Sequence, residues 1–252
     1  MGFLIATENP NQLIRFILAV SKITDEIRLQ ISPEKVWFRG MDSAHVSMID
    51  FEISKKLFSE YQVDKEQTVS VLLEKVIKFL KGVKKNEKLE LAMDETTGRL
   101  KIRAIGRYSR EFITPLLDVG ETRTLGTPKV EFPVKIKMAC SVLEHALDNI
   151  KQISDKVKFE ALLNELKIKG ESDEGYETVI SVDYDSPEVY EKEIKKESMA
   201  TYNVEIMTGV VKELSKISEL VSLNFGTDLP LKLAFEMLEG MKFDFYLAPR
   251  IE

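Results

Sequence analysis

The sequence predicts an α+β chain in which one structural unit is used twice. Three observations lead there. Helical periodicity recurs in four short segments, two in each half, and most of the remaining sequence reads as β-strand. The halves also repeat. A shift of about 130 residues sets Leu13 on Leu143, Ile23 on Ile153, Thr24-Asp25 on Ser154-Asp155, Ile27 on Val157 and Leu29 on Phe159. A shift of about 134 sets Val76-Ile77-Lys78 on Val210-Val211-Lys212 and Asp94 on Asp228. Polarity and order persist where identity does not, as in a duplicated unit. Finally, residues 118–128, with two glycines, a proline and polar neighbours, read as an extended connector. The expected division is a first domain over 1–117, the connector over 118–128 and a second domain over 129–252. Each domain is expected to have sheets on one side and two helices on the other.

Helices are expected at about 11–22, 73–82, 141–153 and 208–218. In the first, Arg15 and Lys22 share the polar side with Gln12. At about 100° per residue, the second gathers Lys78, Lys81 and Lys85 on a narrow arc beside Glu74. Leu73, Val76, Ile77, Leu80 and Val83 occupy its opposite face. The third sets Glu144, His145, Asp148, Lys151 and Gln152 outward of Leu143, Leu147 and Ile150. The fourth carries Lys212 and Lys216. Strands are expected around Val46, Met48, Ile49 and Phe51, along Lys101-Ile102-Arg103-Ala104-Ile105, and along Thr178-Val179-Ile180-Ser181-Val182. Tyr108–Thr114 and Tyr176–Val182 are both β-prone, follow turn signals and hold matching places in the two halves.

Charge is segregated. The chain carries −6 overall. Yet the helical faces carry Arg15, Lys22, Lys78, Lys81, Lys85, Lys151, Lys212 and Lys216 against Glu74, Glu144 and Asp148, a net +5. From spacing alone two readings stand: solvated amphipathic faces, or a surface that meets phosphates without reading bases. Aromatic residues are scarce there, so stacking on single strands is not indicated. No groove-reading motif is present either.

Other classes lack their parts. The two histidines, His45 and His145, have no metal-ligand spacing. No phosphate-binding loop, dinucleotide fingerprint or nucleophile elbow occurs. Asp173-Glu174 beside Gly175 reads as a turn, and the stretch around Glu188, Glu191, Glu193 and Glu197 reads as a solvated loop. The single Cys140 excludes an internal disulfide and a cysteine-based zinc site, and reads as filler at a helix start. No run approaches the ~20 apolar residues that span a bilayer. The N-terminus lacks signal-peptide features, and Ala6 stands where myristoylation wants Ser or Thr. A soluble intracellular protein without catalytic activity, metal or cofactor is expected.

Two segments are more specific. Met41-Asp42-Ser43-Ala44-His45-Val46-Ser47 and the closing Leu247-Ala248-Pro249-Arg250-Ile251-Glu252 resemble the two signature segments of the proliferating cell nuclear antigen family, the DNA sliding clamps of archaea and eukaryotes. The resemblance runs from end to end. It implies a trimeric ring of six such domains, helices lining the hole and sheets forming the rim. It also implies sequence-independent contact with duplex DNA, with Arg15, Lys78, Lys81 and Lys216 at or near basic inner-surface positions of the family. Ile14 and Ser21 depart from positions commonly basic in relatives, and Asp148 adds an acid.

The resemblance further implies a hydrophobic pocket for the short PIP-box peptides of client enzymes such as DNA polymerase, flap endonuclease, DNA ligase and the clamp loader. Met41, His45, Val46, Met48, Leu125, Pro128, Phe132, Pro230, Tyr246, Leu247, Ala248 and Pro249 match its lining positions, and Thr127 stands where relatives often have Ile. A ring needs an exposed edge strand in each domain. Tyr108, Arg110, Phe112 and Ile113 in one, with Thr178, Ile180 and Val182 in the other, are the candidates for contact with a copy of this chain or a related one. The place of action would be the archaeal cytoplasm on the nucleoid, or a eukaryotic nucleus. A checkpoint-type ring subunit shares the implied fold, and an uncharacterised α+β hydrolase is the remaining alternative.

Overall fold

The computed structural model describes residues 2–94, 96–118 and 125–250. Residues 119–124 of the expected connector, and Ile251 and Glu252 of the closing run, lie outside the described residues. The chain forms two compact units. One comprises Met1–Gly40, Asp50–Gly126 and Leu238–Lys242; the other comprises Met41–Ile49, Thr127–Met237 and Phe243–Glu252. Each unit thus takes in a short piece of the opposite half of the sequence.

The first half runs β1 (Leu4–Thr7), α1 (Pro10–Val20), β2 (Glu26–Ile31), β3 (Lys35–Met41), β4 (Ser47–Ser54), a 3-10 turn (Lys55–Leu57), β5 (Glu60–Gln62), β6 (Gln67–Leu72), α2 (Leu73–Leu80), β7 (Lys88–Asp94), β8 (Arg99–Ile105) and β9 (Ser109–Pro115). The second runs β10 (Val134–Ala139), α3 (Cys140–Ile150), β11 (Lys156–Ala161), β12 (Glu165–Glu171), β13 (Glu177–Asp183), β14 (Val189–Ile194), β15 (Ser198–Asn203), α4 (Val204–Leu214), β16 (Leu220–Phe225), β17 (Leu231–Phe235) and β18 (Met241–Leu247). Apart from the 3-10 turn, the order is the same element for element. So is the pairing: β5-β1-β7-β8-β9 is matched by β14-β10-β16-β17-β18, and β4-β3-β2-β6 by β13-β12-β11-β15. Neighbours pair antiparallel.

Strand alternation puts one face of each sheet in the core. In β8, Leu100, Ile102 and Ala104 are buried while Arg99, Lys101, Arg103 and Ile105 are not. Helical spacing does the same for Leu13, Phe16, Ile17 and Val20 of α1 and for Leu143, Ala146, Leu147 and Ile150 of α3. Rings anchor both interiors. Phe51 lies 5.1 Å from Phe16 and 5.7 Å from Phe38, and Phe159 lies 6.0 Å from Tyr202 and 5.8 Å from Phe225, between centroids. In the second unit α3 packs on α4 and on β10 to β13.

All four helices differ in extent from their expected spans. α1 opens at Pro10, whose fixed φ and missing N–H suit a first helical residue. α4 begins four residues early, because the Asn203 side chain accepts from the Ile206 N–H at 3.0 Å and caps it. Its β-branched start and Gly209 hide this from propensity. Each helix also stops short of its expected end, in a tight turn, so Lys22, Lys81, Lys85, Lys151 and Lys216 sit just past the helices. Cations there meet the negative end of the helix dipole. The stretch expected as a solvated loop contains β14, whose Glu193 and Glu191 face Lys135 and Lys137 of β10 at 2.9 and 3.6 Å. Cys140 is the first residue of α3; burial pushes its thiol up to about 12, so the helix start does not activate it.

Among the described residues, no helix is long and apolar enough to cross a membrane.

Gly170 of β12 is required by close approach: a Cβ there would lie 2.3 Å from Cγ2 of Ile150 at the end of α3. Gly170→Ala is expected to cost about 1–3 kcal/mol, read as a lower denaturant midpoint at unchanged slope.

The turn after α2 has its own staple. The buried Glu87 carboxylate accepts from the Lys84 N–H at 2.8 Å and from Arg110 Nη2 at 2.6 Å. The Lys84 N–H first, then Arg110, hold its carboxyl below the usual Glu range against the opposing effect of burial. The folded-state value is depressed, so the contribution is complete above the unfolded range near about 4.3 and is lost as pH falls through the folded value. Glu87→Gln should remove that portion of acid sensitivity, seen as a flatter stability–pH curve below the ordinary Glu range.

Candidate nucleic-acid and peptide interfaces

Burial of the apolar stripes leaves the polar faces of the helices in solvent, but their charge is not shared evenly. Over α1, α2 and the turns that follow (10–23 and 73–85) stand Arg15, Lys22, Lys75, Lys78, Lys81, Lys84 and Lys85 against Glu74 alone, a net +6. Over α3, α4 and their turns (140–153 and 204–217) stand Lys151, Lys212 and Lys216 against Glu144, Asp148, Glu205 and Glu213, a net −1. The net positive charge expected of the helical faces taken together, with the third read as mixed, therefore belongs to the first unit. In the second unit the lysines are engaged: Lys212 with Asp148 at 2.6 Å, Lys151 with Glu205 at 3.3 Å and Lys216 with Glu213 at 3.2 Å. In the first, Lys78 meets Glu74 at 2.7 Å, and Lys78 and Lys75 draw that carboxyl down. Lys22, Lys81, Lys84 and Lys85 are exposed and form no ion pair among the described residues. Lys75, Lys84, Glu205 and Glu213 were missed from sequence. The partner of Glu205 is 54 residues away, and Lys84 sits in a turn that helical periodicity does not cover.

The Met41–Ser47 segment is organised by one carboxylate. Asp42 Oδ1 accepts from the N–H groups of Val46 (2.9 Å) and Ser47 (2.6 Å) and from the Ser47 hydroxyl (3.0 Å), and Oδ2 accepts from the Ala44 N–H (3.1 Å). This turn holds His45 at φ 57°, in the left-handed region, a conformation costing about 1–2 kcal/mol for a residue with a Cβ. The Val46 carbonyl then accepts from the Ala248 N–H at 2.7 Å. Beyond it, Arg250 donates to the Thr201 carbonyl and to Asp155 Oδ2, both at 2.8 Å, drawing the Asp155 carboxyl down. The two signature segments are thus joined within the second unit.

Around this junction His45, Val46 and Pro128 are exposed, and Met41, Phe132, Pro230, Ala248 and Pro249 are partly so. Met48, Tyr246 and Leu247, also expected to line the pocket, are buried, Leu247 at 1% exposure. They support the surface from below, lying in runs of consecutive buried residues at the start of β4 and along β18. Burial works to lower Lys232, beside Tyr246, but the Asp244 carboxylate outweighs it and the net shift is upward. Leu125 is exposed and falls in the first unit, its carbonyl accepting from Arg39 Nη1 at 3.0 Å. Arg39 and Lys242 both reach the buried Asp50, at 3.0 and 3.1 Å.

β9 and β13 each end their sheet. Tyr108 and Tyr176, in the preceding turns, are exposed, as are Ile113 and Val179. The other interface candidates are partly covered. β9 packs on α2, where Phe112 stacks on Phe79 at 5.7 Å and Arg110 lies 5.9 Å above the same ring. β13 packs on α3, with Val182 buried and Thr178 and Ile180 half-buried. Side chains offered outward are those of Ser109, Glu111, Ile113 and Pro115 on β9 and of Glu177, Val179, Ser181 and Asp183 on β13, with Ile113 and Val179 the apolar ones apart from Pro115, and the strands offer main chain. Among the described residues no group of three or more His, Cys, Asp or Glu is placed to hold a metal.

Comparison with known proteins places this architecture. The model of the N-terminal domain of proliferating cell nuclear antigen matches residues 6–106, and that of its C-terminal domain matches residues 126–250. The protein called DNA polymerase sliding clamp 1 of Pyrobaculum aerophilum is 32% identical over 235 residues, 93% of this chain and 92% of its own. Proliferating cell nuclear antigen from Thermococcus kodakaraensis superposes with a TM-score of 0.90 at 25% identity, over 98% of this chain and 100% of that one. A chain of the PCNA2–PCNA3 complex of Sulfolobus tokodaii gives 0.89 at 30% identity, over 99% and 100%. Both halves match, in order and nearly from end to end. The chain belongs to the proliferating cell nuclear antigen family.

Proposed function

We propose that this chain is the subunit of a DNA polymerase sliding clamp, a ring that encircles duplex DNA and tethers replication and repair enzymes without catalysing a reaction itself. The end-to-end likeness to archaeal proteins of that name carries the reading. The basic helical faces supply a surface suited to phosphates, and its cations favour contact with DNA backbone over bases. The site of action is wherever the cell keeps its DNA.

The duplicated topology supports a mode of assembly. β9 and β13 correspond in the repeated order to β18 and β4, and both end their sheets with unpaired main-chain groups. Each carries an exposed β-branched residue and follows an exposed tyrosine. β9 of one copy pairing with β13 of the next gives a head-to-tail contact, closing at three copies, or at three related chains. The purified chain is expected at trimer mass and, with a family polymerase and clamp loader, should lengthen products on a primed circle. Ile113→Pro or Ile180→Pro removes a ladder donor; each should give monomers and abolish the lengthening. Full stimulation by a monomer would sink the ring.

Client peptides are assigned to the surface formed by Met41, His45, Val46, Pro128, Phe132, Pro230, Ala248 and Pro249, above the buried Met48, Tyr246 and Leu247. A PIP-box peptide, with a Gln, an aliphatic residue and paired aromatics, should bind there. Val46→Ala, and separately removal of residues 248–252, should each cost about 1–3 kcal/mol of peptide affinity by calorimetry. Unchanged affinity in both would place the peptide elsewhere.

A further inference from the structure

In the first unit, four cations converge on one cavity. Arg15 of α1 and Lys81, Lys84 and Lys85 of the turn after α2 surround a space of about 100 Å³ whose apolar wall includes Ile14, Leu18 and Leu80. Among the described residues Lys81 and Lys85 form no ion pair, Lys84 has the Glu87 carboxylate within electrostatic reach, and Arg15 Nε donates to Asn11 Oδ1 at 3.4 Å. Like charges gathered round one space repel each other, and an anion placed among them relieves that repulsion.

The backbone that presents the lysines is fixed. The Lys81, Gly82 and Val83 N–H groups donate back to Ile77, Phe79 and Leu80, at 2.9, 3.0 and 3.0 Å. Glu87 holds the Lys84 N–H, and Arg110 Nη2 donates to the Gly82 carbonyl at 3.0 Å. Pro10 and Asn11, in the first turn of α1, also line the space, and Asn9 makes no side-chain cap there. The positive end of that helix adds to the same field.

The corresponding helices of the second unit present a different surface. Acids engage Lys151, Lys212 and Lys216, and the local balance is −1 where the first unit has +6.

We infer that duplex phosphates are held mainly by the first unit, seated among Arg15, Lys81, Lys84 and Lys85, while the second unit's helical lysines contribute little. This rests on the sliding-clamp reading and adds an internal inequality to it. Lys84 becomes a DNA-contacting residue, and Asp148 and Glu205 become residues that restrain contact.

The test is the salt dependence of duplex binding by the assembled protein, taken as the slope of log affinity against log salt. Lys84→Gln with Lys85→Gln should flatten the slope by about 0.9 for each phosphate no longer neutralised. Asp148→Asn with Glu205→Gln, which releases Lys212 and Lys151, should steepen it. Ring mass and peptide binding, measured on the same samples, establish that each variant is folded and assembled. The inference is overturned if Lys212→Gln with Lys216→Gln flattens the slope as much as the first pair does. It is also overturned if removing the acids leaves the slope unchanged. A parent protein that binds duplex with no salt dependence would remove the DNA-contact reading itself.

Discussion

Helices of eight to eleven residues do not hold their shape alone in water. Each of the four here persists because one apolar stripe is buried under tertiary packing. That constraint governs the surface as well as the core. With Leu73, Val76 and Leu80 committed inward, Lys78 and the lysines of the following turn must face solvent. Charge segregation in an acidic chain is thus a by-product of how short amphipathic helices are stabilised. A phosphate-binding surface needs only a bias toward Lys at positions already forced outward. The first unit has that bias, and in the second it is cancelled by acids on the same faces.

The sequence made the architecture legible where information was local and periodic. Alternation in β8, the helical stripes of α1 and α3, and the repeat that sets Leu13 on Leu143 all have direct physical counterparts. Helix ends were less legible, because Asn203 caps α4 ahead of residues with poor helix propensity. The segment holding β14 looked like a solvated loop, since alternating Lys and Glu describe either a loop or an edge strand whose charges face lysines on a neighbour. The inequality between the units was invisible for another reason: Lys151–Glu205 and Lys212–Asp148 join residues far apart in sequence, and no periodicity encodes them. The surface near the C-terminus was recognised only by resemblance, which could not tell exposed Val46 from buried Leu247.

The two signature segments share one small mechanism. Asp42 commits its acceptor capacity to four donors of the following turn, and so holds His45 in a conformation it would not adopt freely. The result is a Val46 carbonyl aimed at the Ala248 N–H, which donates to it. Residues far apart in sequence thereby form one surface whose shape is set before any partner arrives. Pre-organisation of this kind spares a partner the entropy of ordering the loop.

The free edges of β9 and β13 are unlike, and that difference has a kinetic meaning. Copies that join through unlike edges add in one orientation only, at either end of an open chain. Two joined copies share a single contact, whereas three in a closed circle share three, and the last forms between ends already tethered. In the proposed ring, closure is then favoured over the open pair, and intermediates are expected to be scarce. The same arithmetic lets a closed circle part at one seam while the other two keep the copies together, so a strand-edge seam can serve as a gate while the assembly stays whole.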